Sequence, residues 1–228
     1  MPSQLGTPRV HLRQTGSTNT FARELAARGA PHGTLVSADE QLAGRGRQGR
    51  AWTAPAGSSL LCSWVIRNPG RLLSLRAGVA VAQVAGAQAL IKWPNDVLID
   101  GRKVAGILVE GRPQERWAVL GVGLNVALSA DQLPPELRER AGSLGLTPAD
   151  LEPTLARLNG ALDHWLAAGE GQVLDAIGAR DALRGRSVTW AGGSGTAAGI
   201  DSGGALLVGT EGGGTVALDA GEVHLSRW

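Results

Sequence analysis

Tyrosine is missing from this chain of 228 residues, and phenylalanine and cysteine occur once each. Aromatic bulk therefore falls to seven tryptophans. The lone Cys62 has no partner for an internal disulfide and no second thiol for a zinc site, which fits a reducing compartment. No apolar run approaches the roughly 20 residues of a membrane-spanning helix, and the opening stretch MPSQLGTPRV has no apolar signal core. A soluble cytoplasmic protein with no membrane partner is expected. His11, His32, His164 and His224 stand outside every motif considered below, so no histidine catalysis is expected. The most uneven absence is of acids. From Gln41 to Asn95 there is no Asp or Glu, while Arg45, Arg47, Arg50, Arg67, Arg71, Arg76 and Lys92 fall in that interval. Elsewhere 15 cations face 20 acids. The acidic remainder argues against a general polyanion binder. The local basic region argues for one small anionic ligand, or one anionic patch on a partner.

Hydrophobic residues make up 43% of the chain and charged residues 18%, enough for a sizeable core in one domain with room for a small second one. GSTNTFARELAARGAPHG reads as a helix, with Ser17, Thr18 and Asn19 as candidate N-caps and Gly29 and Pro31 as its stop. GTLVSAD and SSLLCSWVIR read as strands, and the nearly uncharged RLLSLRAGVAVAQVAGAQAL as a largely buried helix. IKWPNDVLIDGRKVAGILVE predicts strand, proline turn, strand, an Asp100-Gly101 hairpin and a further strand. RWAVLGVGLNV is another strand, and PTLARLNGALDHWLAAG an amphipathic helix. From about Leu183 short apolar runs alternate with glycine clusters, which predicts a small all-β barrel.

The stretch AGRGRQGRAW, residues 43–52, holds three glycines and three arginines. As G-x-G-x-x-G it spells a dinucleotide fingerprint, but that motif needs a helix opening directly after it and an acid about 20 residues on. AWTAPAGSS is a poor helix start, and no acid appears before Asp96. As a nucleic-acid segment it lacks interleaved stacking aromatics, since only Trp52 is adjacent. A solvated basic loop is the plain alternative. The reading that uses every feature is a cradle for phosphate and carboxylate. Glycines let the backbone approach a ligand, arginine forks match oxyanions, and a tryptophan offers a flat face to a base. An acyl-adenylate combines these three groups. With no acid nearby in sequence to hold the arginines, the loop is expected to be open until such a ligand arrives.

GSTN at 16–19, GRGRQGRAW at 44–52, KWPND at 92–96, RKVAGILVE at 102–110 and GVGLN at 121–125 occur together and in order. This combination resembles the biotin protein ligases (biotin–acetyl-CoA-carboxylase ligases) over nearly the whole chain, including GIDSGGALLV in the tail. The resemblance implies an α/β (α+β) fold, with a mixed-sheet catalytic domain of class II synthetase type at 1–182 and an SH3-like barrel at 183–228. It implies activation of biotin by ATP and Mg²⁺ to biotinyl-AMP, then transfer to a lysine of a biotin carboxyl carrier protein. By the same resemblance Lys103, Arg45 and Arg47 are catalytic. Ser17, Thr18, Asn19, Gln41, Gly44, Gly46, Gly106 and Gly121 join those three around biotin. Arg47, Arg50, Trp52, Lys92, Asn95, Lys103 and Asn125 face ATP, and Asp96 faces Mg²⁺. Some members carry an N-terminal DNA-binding domain for which residues 1–16 leave no room, so no specific DNA binding is expected. The resemblance leaves a homodimer open. A lipoate ligase or octanoyl transferase of the same fold is the nearest alternative, and a non-catalytic basic nucleic-acid-binding module the alternative of another class.

Overall fold

The structure, a computed structural model, describes residues 5–219, 221 and 223–225. A seven-stranded mixed sheet dominates it. The strands are β1 (Arg9–Thr15), β2 (Leu35–Gln41), β3 (Ser59–Arg67), β4 (Leu90–Lys92), β5 (Asp96–Ile99), β6 (Arg102–Arg112) and β7 (Trp117–Asn125), in the order β1-β2-β3-β7-β6-β5-β4. Only β1 and β2 run parallel. Helix α1 (Thr18–Ala27) covers one face, where Ala22 and Ala26 pack with Val36, Val65, Trp117 and Val119. Helices α2 (Leu73–Ala85) and α4 (Leu151–Ala167) cover the other, with α5 (Glu170–Gly178) packed against α2; α3 (Pro135–Arg138) is a single turn between β7 and α4. Among the described residues no helix is long and apolar enough to cross a membrane.

The sequence patterns map onto these layers. Strands β3 and β7 are covered on both faces, which is why SLLCSWVIR and WAVLGVGLN read as nearly unbroken apolar runs rather than alternations. Helix α2 is buried almost all round, and it stops at Ala85, five residues short of the expected end. Gly86 at φ +121° breaks it there, and Leu90 already belongs to β4. The β5–β6 hairpin turns through Asp100 and Gly101, both at positive φ, as the Asp-Gly signal requires. Three elements were not foreseen, the single turn α3 among them. Strand β1, RVHLRQT, carries charge on a half-exposed sheet edge, and α5 follows α4 after a two-residue break.

The tail forms a second sheet of five antiparallel strands: β8 (Ser187–Trp190), β9 (Gly193–Ile200), β10 (Leu206–Gly209), β11 (Thr215–Leu218) and β12 (His224–Leu225), ordered β11-β10-β9-β8-β12. The all-β expectation for this segment is met in that coarser form. Among the described residues β11 and β12 do not pair, so a closed barrel is not formed by these ladders. The tail does not stand apart. Val188, Ala197, Leu206, Val208 and Val223 share one apolar core with α2 and α4, and Trp93 Nε1 donates to Gly204 O at 2.9 Å.

The acid-free interval is also explained in part. Two of its seven cations serve the fold and not a ligand. Arg67 donates to Ala26 O and Ala30 O at the C-terminus of α1, at 2.7 and 2.6 Å. Arg76, buried on α2, donates to Trp165 O, Leu166 O and Ala168 O at the C-terminus of α4. Each places a cation at the negative end of a helix, where the last carbonyls lack helical partners. Replacing Arg76 with Met keeps the stem but strands those partly buried carbonyls. The expected outcome is a loss of about 1–3 kcal/mol, read as a lower urea midpoint at unchanged slope.

Candidate functional site

Helix α1 spans only ten residues, so it leaves part of its sheet face bare over β7, β6 and β5. The glycine-arginine loop covers that part instead. Its two arms run antiparallel: Gly46 N donates to Arg50 O at 2.7 Å, Trp52 N donates to Gly44 O at 2.9 Å, and Arg45 bridges Ala51. Gly44 lets the arms meet, since a Cβ there would stand 2.2 Å from Trp52 O. Between loop and sheet lies a cleft of about 950 Å³ including its open mouth. Its lining takes in Ser17, Thr18, Asn19, Gln41, Arg45, Gly46, Arg47, Arg50, Trp52, Lys92, Asn95, Asp96, Lys103, Gly106 and Gly121. The motifs that are scattered through the sequence thus converge on one cavity. Two of the named residues stand outside the lining. Gly44 sits in the loop's neck, and Asn125 is buried, donating through Nδ2 to Gly142 O (2.8 Å) and accepting from Ser59 Oγ (3.1 Å).

The sheet beneath the loop is floored by glycine. Gly106 and Gly123 are register partners on β6 and β7, and Gly121 follows two residues before. A Cβ on Gly123 would meet the Trp52 ring at 2.4 Å, one on Gly106 would meet it at 2.9 Å, and one on Gly121 would fall 2.1 Å from Asn19 Oδ1. Glycine is required here by close approach and not by φ. It lets an indole and an amide lie flat on the strands.

One end of the cleft is polar and neutral. Ser17 takes the N-cap position of α1 in extended conformation, but its side chain makes no capping bond. Gln41, reaching across from β2, does that instead: its Oε1 accepts from Thr18 N at 2.8 Å and from Thr18 Oγ1 at 3.0 Å. Behind them the fully buried Ser63 hydroxyl lies 2.8 Å from Thr18 Oγ1 and 2.6 Å from Asn19 Oδ1. Ser63 was not singled out from sequence. An alternating strand position facing GSTN was the signal, and it becomes visible only with the β2–β3 and β3–β7 registers.

The other end is cationic. Lys103 reaches it through a β-bulge. Asp96 pairs with Gly106 and Val97 with Ala105, but Leu98 pairs with Lys103, so β6 carries one extra residue at Val104. Strand alternation alone would set Lys103 and Gly106 on opposite faces; the bulge brings both to the cleft. The backbone of Lys103 is held on its far edge as well, by Lys103 N to Arg140 O (2.7 Å) and Gly142 N to Lys103 O (2.8 Å). Its ammonium meets Asp96 Oδ1 at 2.7 Å and stands 5.5 Å from the centre of the Trp52 ring. Arg47 donates to Asn95 Oδ1 at 3.1 Å and to Gly221 O at 3.3 Å, so the tail sheet's end also borders the cleft. Trp52 Nε1 is buried and has no acceptor among the described residues.

No acid lies near the loop in sequence, but one lies near Arg45 in space. Glu110, the last residue of RKVAGILVE, lies 3.0 Å from Arg45 Nη2. It is distant in sequence and adjacent in space, because β6 runs the length of the cleft. Cys62 borders the cleft yet is buried, and burial pushes its thiol up to about 12.

Residues 11–126 match the biotin/lipoate A/B protein ligase family. Over 226 residues the chain is 34% identical to a biotin–[acetyl-CoA-carboxylase] ligase of Paracoccus denitrificans, covering 86% of this chain and 92% of that one. It is 42% identical over 152 residues to the bifunctional ligase/repressor of Bacillus spizizenii, which covers 61% of this chain and 47% of the relative; the chain thus spans about half the length of that protein. Among solved structures, the biotin protein ligase from Aquifex aeolicus in complex with biotin and ATP superposes with a TM-score of 0.83 at 27% identity, covering 97% of this chain and 100% of that chain.

Two outcomes are expected from this geometry. Gly123→Ala expels the Trp52 indole and changes the near-ultraviolet circular dichroism of the wild type. The same substitution in a Trp52→Phe background leaves the spectrum unmoved. Cys62, nearly all thiol at pH 8, resists iodoacetamide in the folded protein and reacts on unfolding. Because its folded value lies above the unfolded one, near 9, its contribution to stability is full below pH 9 and is lost as pH rises towards 12, read as a falling denaturation midpoint.

Proposed function

The chain belongs to the biotin/lipoate A/B protein ligase family, and we propose that it is an ATP-dependent biotin ligase: it joins biotin to AMP and passes the biotinyl group to a lysine of a biotin carboxyl carrier protein. The observation that carries this reading is the polarity of one cleft, neutral donors and acceptors at one end and converging cations with an indole at the other. A cyclic urea has a carbonyl and two N–H groups and no charge, which suits Ser17, Thr18, Asn19 and Gln41. Its carboxylate tail then points towards Lys103, Arg45 and Arg47. A triphosphate suits Arg47, Arg50 and Lys92, and adenine suits the face of Trp52, with Asn95 beside it. Gly106 and Gly121 leave room for the Trp52 indole and the Asn19 amide that face the ligand, and Gly46 lines the cleft from the loop.

In the first step the biotin carboxylate oxygen attacks the α-phosphorus of ATP and pyrophosphate leaves. Lys103 neutralises charge that builds on the α-phosphoryl oxygens, and the loop excludes water from the mixed anhydride. In the second step the uncharged ε-amine of the acceptor lysine attacks the activated carbonyl, AMP departs with the bonding electrons, and the nitrogen gives up a proton to solvent as the amide forms. Positioning and electrostatics supply the rate; no covalent enzyme intermediate is needed. Asp96 is the sole carboxylate lining the cleft among the described residues, which fits Mg²⁺ shared with nucleotide phosphates and not a cage of protein ligands. Asp96, now paired with Lys103, would hold the ion, which when bound would offset phosphate charge. The fold reading divides at 182/183, with the five-stranded tail as the SH3-like unit; its support is the antiparallel strand order.

The test is pyrophosphate release with ATP and Mg²⁺ in the presence of biotin or lipoate. Release with biotin and not with lipoate is expected. Release with lipoate alone overturns the choice of substrate, and silence with both overturns the enzyme. Lys103→Ala is expected to melt like the wild type and lose on the order of 10²–10³ in adenylation rate; wild-type turnover would sink the assignment.

A further inference from the structure

Glu110 is not itself a lining residue of the cleft, yet its carboxylate holds two side chains that are, one on the loop and one on α1. Through Oε1 it pairs with Arg45 of the loop at 3.0 Å, and it lies 3.6 Å from Arg23 of α1. Through Oε2 it accepts from Asn19 Nδ2 at 2.9 Å. Asn19 is thereby oriented: its amide nitrogen faces Glu110, with Leu108 O at 3.4 Å, and its oxygen faces Ser63. Glu110 itself is largely buried, with its side chain 18% exposed, on a strand fixed to both neighbours. Around the loop the nearest acids in sequence lie at Glu40 and Asp96. Glu40 is engaged with Gln14 at 2.7 Å, and Asp96 with Lys103.

We propose that Glu110 is a positioning residue that latches the glycine-arginine loop over the cleft through Arg45 and sets the Asn19 amide in the same stroke. This rests on the biotin-ligase reading only for the identity of what is retained. The two roles of the carboxylate are chemically separable. The Asn19 bond needs an acceptor, which a glutamine oxygen also supplies. The Arg45 pair needs a negative charge, which glutamine lacks. Glu110→Gln therefore frees the loop while sparing the amide, whereas Glu110→Ala releases both. A carboxylate that merely filled space would show no such division, and Glu110→Asp restores charge at a shorter reach.

The experiment has two arms. In the first, the full chain without ligand is digested with trypsin, and cleavage after Arg45, Arg47 and Arg50 is timed by mass spectrometry. Glu110→Gln is expected to cut about tenfold faster than wild type, as loss of a charge-assisted bond implies, at an unchanged melting temperature. Glu110→Asp is expected to fall between the two. Arg45→Gln should quicken cutting after Arg47 and Arg50 to the same degree, and the double variant should add nothing further. In the second arm biotin binding is titrated by calorimetry, and escape of biotinyl-AMP is read as labelling of bystander lysines. Glu110→Gln keeps wild-type biotin affinity within about threefold and labels bystanders about tenfold more; Glu110→Ala also loses affinity. Equal protection of wild type and Glu110→Gln, or additive effects in the double variant, overturns the latch. Absence of any adenylate in the wild type overturns the proposed function and leaves the first arm standing. Should Glu110→Gln fail to fold, the comparison of Arg45→Gln with wild type decides the same question.

Discussion

The site depends on how closely side chains can approach the β6–β7 ladder. Gly106, Gly121 and Gly123 remove the Cβ atoms that would otherwise stand between the sheet and whatever lies on it. Only then can the Trp52 ring and the Asn19 amide rest on the strands, and only then can a short loop close over a sheet face that α1 leaves uncovered. With an alanine at 123 the nearest ring atom would be met at 2.4 Å, well inside van der Waals contact, so the indole must leave. The cleft is thus cut into the sheet's surface by omission of side chains, and its walls are supplied by a helix start and a loop.

Charge is arranged with the same economy. A stretch of 55 residues without an acid leaves its arginines to find partners elsewhere. Arg67 and Arg76 find helix C-terminal carbonyls, Arg45 finds Glu110, and Arg47 finds Asn95 and a carbonyl of the tail. What remains directed into the cleft is a set of donors suited to an anion with several oxygens. The Lys103–Asp96 pair holds the lysine's ammonium beside the indole, and a competing phosphate or carboxylate can draw it a short distance.

The sequence made much of this legible, and its limits have identifiable causes. The apolar runs of β3 and α2 and the Asp100-Gly101 turn could be read because local composition dictates them. Ser17, Thr18, Asn19 and Gln41 were legible as a set only through the resemblance of their motifs, and the capping of α1 by Gln41 was not legible at all, since it joins β2 to a helix that precedes it. Asn125 was read as facing a nucleotide; it lies in the wall with both side-chain polar atoms engaged. Strand β1 hid because an edge strand with one solvated face carries charges that resemble a loop's.

What the chain determined by itself is the list of parts: a helix capped at one of Ser17, Thr18 and Asn19, a loop of glycine and arginine, a lysine two residues past a hairpin turn, and a sizeable apolar core, because each follows from propensities and spacings within a few residues. What only the tertiary structure decided is which face and which partner. Lys103 faces the cleft because β6 bulges at Val104, which depends on pairing with β5. Arg45 has an anion because register places Glu110 beneath it, and among the described residues Arg76 meets instead the carbonyls at the end of α4. Such outcomes turn on one-residue shifts between distant strands and helices, and a period-two strand reverses its faces with each shift, so no reading of neighbours along the chain contains them.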